Sequence, residues 1–165
     1  MHGRRVLTRP ATLLATLGLV LSGIFLSACG ESAVRATPFG ESDSPACQAV
    51  AERWPATVGR LQPRVTAVES SGVAAWGDPP IVARCGKQPP APTTEQCIDI
   101  NGVDWVATPL DDGGTMFTTY GRTPAIEVLV PANYDSHPLW LPPFGPAAEQ
   151  LDQDRRCIAS PGPTG

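Results

Sequence analysis

The first 29 residues indicate which part of this chain forms the folded domain. The leading ten residues carry three arginines and no acid, and residues 11–26 form an uncharged apolar run, a combination typical of an export signal. At sixteen residues the run is shorter than the ~20 that span a bilayer. It ends in Leu26-Ser27-Ala28-Cys29, the pattern that lipoprotein processing enzymes recognise. We therefore expect cleavage before Cys29, a diacylglycerol on its thiol, and a chain anchored by lipid at the extracytoplasmic face of the cell membrane.

Cleavage of residues 1–28 would leave 137 of the 165 residues, enough for one domain of ordinary size. Residues 29–44 are rich in Ser, Glu, Ala, Thr, Gly and Pro without periodicity, a composition that predicts a flexible tether. Residues 45–158 are expected to form a single globular domain, and residues 159–165 a disordered tail. The sequence leaves open whether export follows the general or the twin-arginine route.

The charge balance argues against a nucleic-acid partner. Three of the twelve basic residues lie in the leader, so nine bases face sixteen acids in the mature chain, a net charge of −7 with His137 neutral. Binding to nucleic-acid phosphates needs a concentrated basic surface. The expected partners are instead the membrane, reached through the lipid on Cys29, and an envelope protein or cell-wall component.

The cysteines predict disulfides rather than a metal site. Besides Cys29 the mature chain has four, an even number in an exported protein, which favours two disulfide bonds; they are Cys47, Cys85, Cys97 and Cys157. None falls in a Cys-x-x-Cys pair and the mature chain has a single histidine, so zinc is disfavoured. No metal and no cofactor are expected.

The pattern of apolar residues predicts helices at the two ends and strands between them. Ser44-Pro45 is a good helix start, followed by apolar residues at helical spacing up to Trp54. A weakly amphipathic last helix is expected over residues 146–158. Short apolar runs bounded by Gly, Pro and Asn predict five or six strands; they cover residues 73–76, 81–85, 98–108 (broken at Asn101-Gly102), 116–120 and 125–130. These elements indicate an α+β fold, a small, mostly antiparallel sheet with an N-terminal and a C-terminal helix packed on it.

This arrangement favours one disulfide connectivity. Cys85 ends one predicted strand and Cys97 precedes the next, so antiparallel neighbours would bring both sulfurs to one end of the sheet. Cys47 would then pair with Cys157, tying the two helices together.

Four ordered motifs resemble a known family: Val73-Ala74-Ala75-Trp76-Gly77-Asp78-Pro79, Ile81-Val82-Ala83-Arg84-Cys85-Gly86, Asn101-Gly102-Val103-Asp104-Trp105 and Phe117-Thr118-Thr119-Tyr120-Gly121-Arg122. Over residues 47–131 the chain is similar to the domain of unknown function 3515, an actinobacterial lipoprotein family. The resemblance implies an envelope protein without an assigned activity, and it supplies no catalytic residues.

Two carboxylates are expected to face each other in the hairpin at Asn101-Gly102. A two-residue turn there sets Asp99 opposite Asp104, and like charges so placed are destabilising unless a cation lies between them. A calcium site wants six or more oxygens, so we favour an Asp-Arg cluster with Arg122 as partner, or with Arg84.

Candidate binding residues are Trp76, Tyr120, Arg122 and Trp140, because aromatic faces and a guanidinium suit a saccharide or peptide groove. A core position is the simpler interpretation of Trp76, and Trp140 is the aromatic expected to be most exposed. The sequence Asp135-Ser136-His137 is interpreted as a surface loop, since triad partners converge from separate parts of a fold. No catalytic residue is predicted. The function expected is a non-catalytic binding or structural module, with an envelope enzyme acting through carboxylates on cell-wall material as the alternative.

Overall fold

A computed structural model describes residues 32–157; the predicted signal, Cys29 and the predicted tail at 159–165 lie outside the described residues. The helices are α1 (Pro45–Ala51) and α2 (Gly145–Ala148), with two 3-10 helices at His137–Trp140 and Pro142–Phe144. The strands are β1 (Pro63–Arg64), β2 (Val73–Trp76), β3 (Ile81–Lys87), β4 (Gln96–Ile100), β5 (Val103–Pro109), β6 (Thr115–Thr119), β7 (Arg122–Thr123), β8 (Ala125–Val130) and β9 (Asp152–Gln153). Within the described part, no helix is both long and apolar enough to cross a membrane.

Seven strands form one antiparallel sheet in the order β1-β2-β3-β8-β6-β5-β4. The sheet consists of two meanders, β1-β2-β3 and β4-β5-β6-β8, which are joined by the pairing of β3 with β8. The strands β7 and β9 form a separate two-stranded sheet. The antiparallel sheet is therefore confirmed, and it is larger than the five or six strands expected.

The hairpin between β4 and β5 has the predicted register. Asn101 and Gly102 both have positive φ, 54° and 83°, as a two-residue turn of this type requires. Ile98 faces Trp105 and Asp99 faces Asp104. The turn residues lie at the tip, so this register is determined locally by the sequence.

The two faces of the sheet differ in what covers them. The inner face packs against α1, α2 and the 3-10 helices, and its buried side chains alternate along each strand as a period of two requires; they include Trp76, Ile81, Ala83, Cys85, Val103, Trp105, Phe117, Ile126, Val128 and Val130. The helix α1 begins where expected, with the Ser44 side chain accepting a hydrogen bond from the Cys47 amide at 3.3 Å.

The outer face is partly covered by residues of the predicted tether. Val34 is 7% exposed and forms a parallel bridge with Thr66, and the Ser42 hydroxyl, fully buried, donates to the Cys85 carbonyl at 2.7 Å. A Cβ on Gly72 or Gly86 would lie 2.3 or 2.5 Å from the Ser42 backbone, so these two glycines leave room for the segment to dock. From Ser32 onward the chain is thus part of the domain, which the composition of the segment alone does not reveal.

The predicted C-terminal helix is replaced by shorter elements. The helix α2 ends at Ala148, and Asp152–Gln153 pairs with β7 as the strand β9. The Asp154 amide donates to the Gly121 carbonyl at 2.8 Å, and the Arg122 guanidinium donates to the Leu151 carbonyl at 2.7 Å. These bonds to a distant part of the chain outweigh a weak helical preference.

The disulfide prediction is wrong in both pairs. The structure joins Cys47 to Cys85 and Cys97 to Cys157, with Cα atoms 5.6 and 5.8 Å apart. The prediction assumed that the strands bearing Cys85 and Cys97 are neighbours, but β8, β6 and β5 lie between β3 and β4. At about 4.8 Å per strand the two strands are about 19 Å apart, well beyond the roughly 7 Å between Cα atoms that a disulfide can bridge.

Candidate functional site

A cleft of about 390 Å³ opens on the inner face of the sheet near the edge strand β4. Its floor is formed by strand residues of β4, β5 and β6, and its far wall by the loop that follows β8. The lining residues are Gln96, Ile98, Ala107, Pro109, Thr115, Phe117, Ala132, Tyr134, Asp135, Ser136, His137 and Pro138. The cleft thus joins parts of the chain that are up to 42 positions apart.

The floor is apolar and the rim is polar. Ile98, Ala107 and Phe117 face inward on adjacent strands. At the rim the Thr115 hydroxyl and His137 Nδ1 lie 2.7 Å apart, with the direction of the bond set by the histidine tautomer. An apolar floor with a few placed polar groups is the usual make-up of a ligand site.

The wall of the cleft is braced by two aromatic residues. The Tyr134 hydroxyl donates to the Pro79 carbonyl at 2.7 Å, and its ring lies 4.9 Å from that of Trp140, edge to face. Trp140 Nε1 donates to the Asp135 carbonyl at 3.1 Å. Burial, reinforced by the charge of Asp78, raises the pKa of Tyr134. These contacts hold the loop, so the cleft is pre-formed.

A second cavity, of about 350 Å³, lies beside the same edge strand and ends at a disulfide. It is lined by Pro92, Thr93, Thr94, Glu95, Gln96, Cys97, Tyr120 and Cys157. Gln96 lines both openings, and β4 is the last strand of the sheet on this side.

The structure does not bring the four predicted binding residues together. Trp76 is 2% exposed and packs on Phe144 at 5.3 Å between ring centroids, in the core. Arg122 is 6% exposed, and burial is the main cause that lowers its pKa. Tyr120 lines the second cavity, while Trp140 is half-buried behind the cleft wall. Trp76 and Arg122 are therefore structural, and Trp140 is less exposed than expected.

The predicted Asp-Arg cluster takes a different form. Asp99 and Asp104 face each other as expected, but Asp104 is 4% exposed and accepts hydrogen bonds from the Cys157 amide at 3.1 Å and from Gln153 Nε2 at 3.5 Å. The Arg122 guanidinium donates its hydrogen bonds to Leu151 and Gln153. Burial lowers the pKa of Arg122, and the charges of Glu149 and Asp104 oppose that shift, so the arginine still interacts with Asp104 electrostatically. Asp99 is exposed and accepts from the Gly102 amide. The hydrogen bonds expected from the arginine to Asp104 thus come from the Cys157 amide and Gln153.

A charged cluster that the sequence does not predict lies on the outer face of the sheet. Glu127, 2% exposed, forms ion pairs with both Arg84 and Lys87, and the Arg84 guanidinium lies 4.3 Å from the centre of the Phe39 ring. A glutamate in the apolar run Ala125–Val130 was the available signal. Its partners could not be named, because Arg84 lies 43 positions away. Within residues 32–157 no group of three or more His, Cys, Asp or Glu is placed to hold a metal ion.

Comparison with known proteins gives one match. The sequence profile of a family described as protein of unknown function (DUF3515) matches residues 11–142. No curated protein and no solved structure matches the chain. Because the profile covers well over half of the sequence, this chain belongs to the family of proteins of unknown function DUF3515.

Proposed function

We propose that this protein is an exported actinobacterial lipoprotein, anchored through Cys29 at the outer face of the cell membrane, whose domain binds an envelope protein or cell-wall component without catalysing a reaction. Leu26-Ser27-Ala28-Cys29 after an apolar run supports the anchor. Two disulfides in the domain support an oxidising, extracytoplasmic location, because thiols stay reduced in the cytosol.

The cleft beneath β4 is the observation that carries the binding function. It combines an apolar floor, a polar rim at Thr115 and His137, and a braced wall. Leu139, 74% exposed, adds apolar surface beside the rim residue Pro138. A pre-formed site loses little conformational entropy when it binds, so it suits a module that recognises a partner.

The alternative, an envelope enzyme acting through carboxylates, is less well supported by the same geometry. Glycoside hydrolysis commonly uses two carboxylic acids on either side of the scissile bond. Among residues 32–157, Asp135 is the only acid that lines the cleft, and Glu95 is the only one that lines the second cavity. Neither opening supplies a pair.

Crosslinking in intact cells tests the binding function. Ala132→Trp would fill the cleft from its exposed rim, and Ala67→Trp, exposed between β1 and β2, is the matched control. We expect a crosslinked partner that co-purifies with the wild type and the control and is reduced at least fivefold in Ala132→Trp. Equal recovery from both variants would remove the cleft as the binding site, and release of cell-wall fragments by the purified wild type would favour the enzyme.

The anchor has a separate test. Neither serine nor alanine accepts the thioether-linked diacylglycerol, so Cys29→Ala should abolish labelling by a fatty-acid probe and stop cleavage before residue 29. Ser27→Ala keeps a small residue before the cut and should still be labelled. Persistent labelling of Cys29→Ala would refute anchoring at this position.

A further inference from the structure

The two disulfides differ in their access to solvent. Cys47 and Cys85 are both 0% exposed, inside the core between α1 and β3. Cys97 and Cys157 are half-buried and form part of the wall of the open second cavity. A reagent dissolved in water therefore has a path to one bridge and none to the other while the protein stays folded.

The accessible disulfide fixes the segment that follows β9, which lies against the buried carboxylate of Asp104. Cys97 lies on the edge strand β4, and Cys157 is on the segment that follows β9. The Cys157 amide and the Gln153 side chain both donate to Asp104 Oδ2, and Asp104 is 4% exposed. The bridge and the hydrogen bonds to Asp104 thus act on the same few residues.

We propose that Cys97–Cys157 is a thiol–disulfide exchange site that takes two electrons from a low-molecular-mass dithiol entering the second cavity, while Cys47–Cys85 does not react in the folded protein. The proposal is independent of what the cleft binds. Exchange requires a thiolate to reach a sulfur of the bridge, and the cavity provides that approach.

The reaction balances as two successive displacements. A thiolate of the dithiol attacks one bridge sulfur and forms a mixed disulfide, and the electron pair of the broken S–S bond leaves on the other cysteine, which takes up a proton. The second thiol of the dithiol loses its proton, attacks the mixed disulfide and releases the remaining cysteine. The dithiol ends as a disulfide, and Cys97 and Cys157 end as thiols.

Reduction would leave the segment at Cys157 held by hydrogen bonds alone. Opening of that segment exposes Asp104 next to a cavity that already holds Glu95 and Tyr120. The redox state of the bridge would in this way change the size and the charge of the second cavity.

Differential alkylation of the folded full chain tests the proposal. The protein is incubated with millimolar dithiothreitol, alkylated with light iodoacetamide, then unfolded, fully reduced and alkylated with the heavy reagent. Peptide mass spectrometry should find light label on Cys97 and Cys157 at least 20-fold faster than on Cys47 and Cys85. In concentrated urea the two pairs should react at similar rates. Equal rates in the folded protein, or faster labelling of Cys47 and Cys85, would overturn the proposal.

A variant distinguishes two routes by which the reductant could reach the disulfide: entry through the second cavity and local unfolding of the protein. Thr94→Trp places a large side chain at an exposed wall position and leaves both cysteines unchanged. The control Thr57→Trp is exposed in the segment before β1, at the other end of the strand order. We expect Thr94→Trp to slow reduction of Cys97–Cys157 at least fivefold and Thr57→Trp to leave it unchanged. An unchanged rate in Thr94→Trp would show that the cavity is not the entry path.

Discussion

Glu127 illustrates how a charged residue can be buried on the outer face of the sheet, beside the small apolar cluster of Val34, Ala75 and Val82. Its carboxylate is shared between Arg84 and Lys87, whose side chains are 26% and 27% exposed. Removing one partner of a buried ion pair leaves the others desolvated and unpaired, which costs far more than breaking an exposed pair.

Glu127→Gln should therefore lower the free energy of unfolding by roughly 2–3 kcal/mol, below the ~3–5 kcal/mol of a fully buried pair because the two cations remain partly hydrated. Asp154→Asn is the matched control: it breaks the exposed pair with Arg155 and should leave stability nearly unchanged, because water screens an exposed ion pair. Urea unfolding measures both. Equal losses would contradict the assignment of Glu127 as a buried partner of two cations.

Tyr134 makes the free energy of unfolding depend on pH in the alkaline range. Because burial raises its pKa, the folded state retains the phenolic proton more tightly than the unfolded state. The resulting stability is present in full below a pH of about 10, the ordinary tyrosine value, and is lost as pH rises through the pKa of the folded state.

Tyr134→Phe should lower stability at pH 7 by about 1 kcal/mol, since the hydrogen bond to the Pro79 carbonyl is lost. The gap between wild type and variant should narrow above about pH 10, where the tyrosine of the unfolded chain loses its proton while the folded state still retains it. Urea unfolding over pH 7–11 measures this gap. Tyr120→Phe, in the second cavity, should leave stability at pH 7 within about 0.5 kcal/mol, and a constant gap for Tyr134→Phe would refute the linkage.

At the scale of elements, the two disulfides fasten different parts of the sheet. Cys47–Cys85 ties α1 to β3 and spans 38 positions, whereas Cys97–Cys157 ties β4 to the C-terminal segment and spans 60. By loop-closure entropy, each disulfide stabilises the folded state by about 4 kcal/mol, and the one that closes the longer loop stabilises it slightly more. The two disulfides differ in burial, because only Cys47–Cys85 is packed inside the core.

We predict that Cys47→Ala with Cys85→Ala destabilises the domain by about 1–2 kcal/mol more than Cys97→Ala with Cys157→Ala, since the first pair also leaves a cavity in the core. Double variants avoid free thiols, so each loss reports one bridge. Thermal and urea unfolding provide the comparison. A larger loss for the Cys97–Cys157 pair would mean that chain entropy outweighs packing here.

Features that depend on residues close together in the sequence could be predicted, and features that depend on contacts between distant parts of the chain could not. The register of β4 with β5 was correct because Asn101-Gly102 determines it within two residues. The disulfide pairing was wrong because it depends on the order of strands, which the β3–β8 pairing determines across about 40 positions. The cleft was missed for the same reason: Thr115 and His137 meet only in the folded chain.

The whole molecule folds from two meanders of local strand pairs joined by one long-range pairing. In the meander β4-β5-β6-β8 the paired residues are close in sequence, as in Phe117 with Val128, whereas β3 meets β8 through pairs such as Cys85 with Ile126. Closing a longer loop costs more entropy and slows the contacts that depend on it.

We therefore expect the amides of β5 to become protected from hydrogen exchange before the amides through which β3 pairs with β8. Pulsed hydrogen exchange during refolding, with both disulfides intact, measures the order peptide by peptide. The β2–β3 hairpin serves as an internal comparison for a local pairing. Simultaneous protection of β5 and of the β3–β8 junction would mean that the sheet forms in one concerted step.

The junction between β3 and β8 also sets the order in which apolar parts of the chain can be covered. A chain delivered from its N-terminus presents β3, whose start is the apolar Ile81-Val82-Ala83, about 40 residues before β8 is available to cover its edge. An uncovered apolar strand edge invites pairing with other chains. On the proposed outer face of the membrane, newly delivered chains of this protein are thus most prone to aggregation before β8 arrives, and we expect a chaperone that protects them to act on β3.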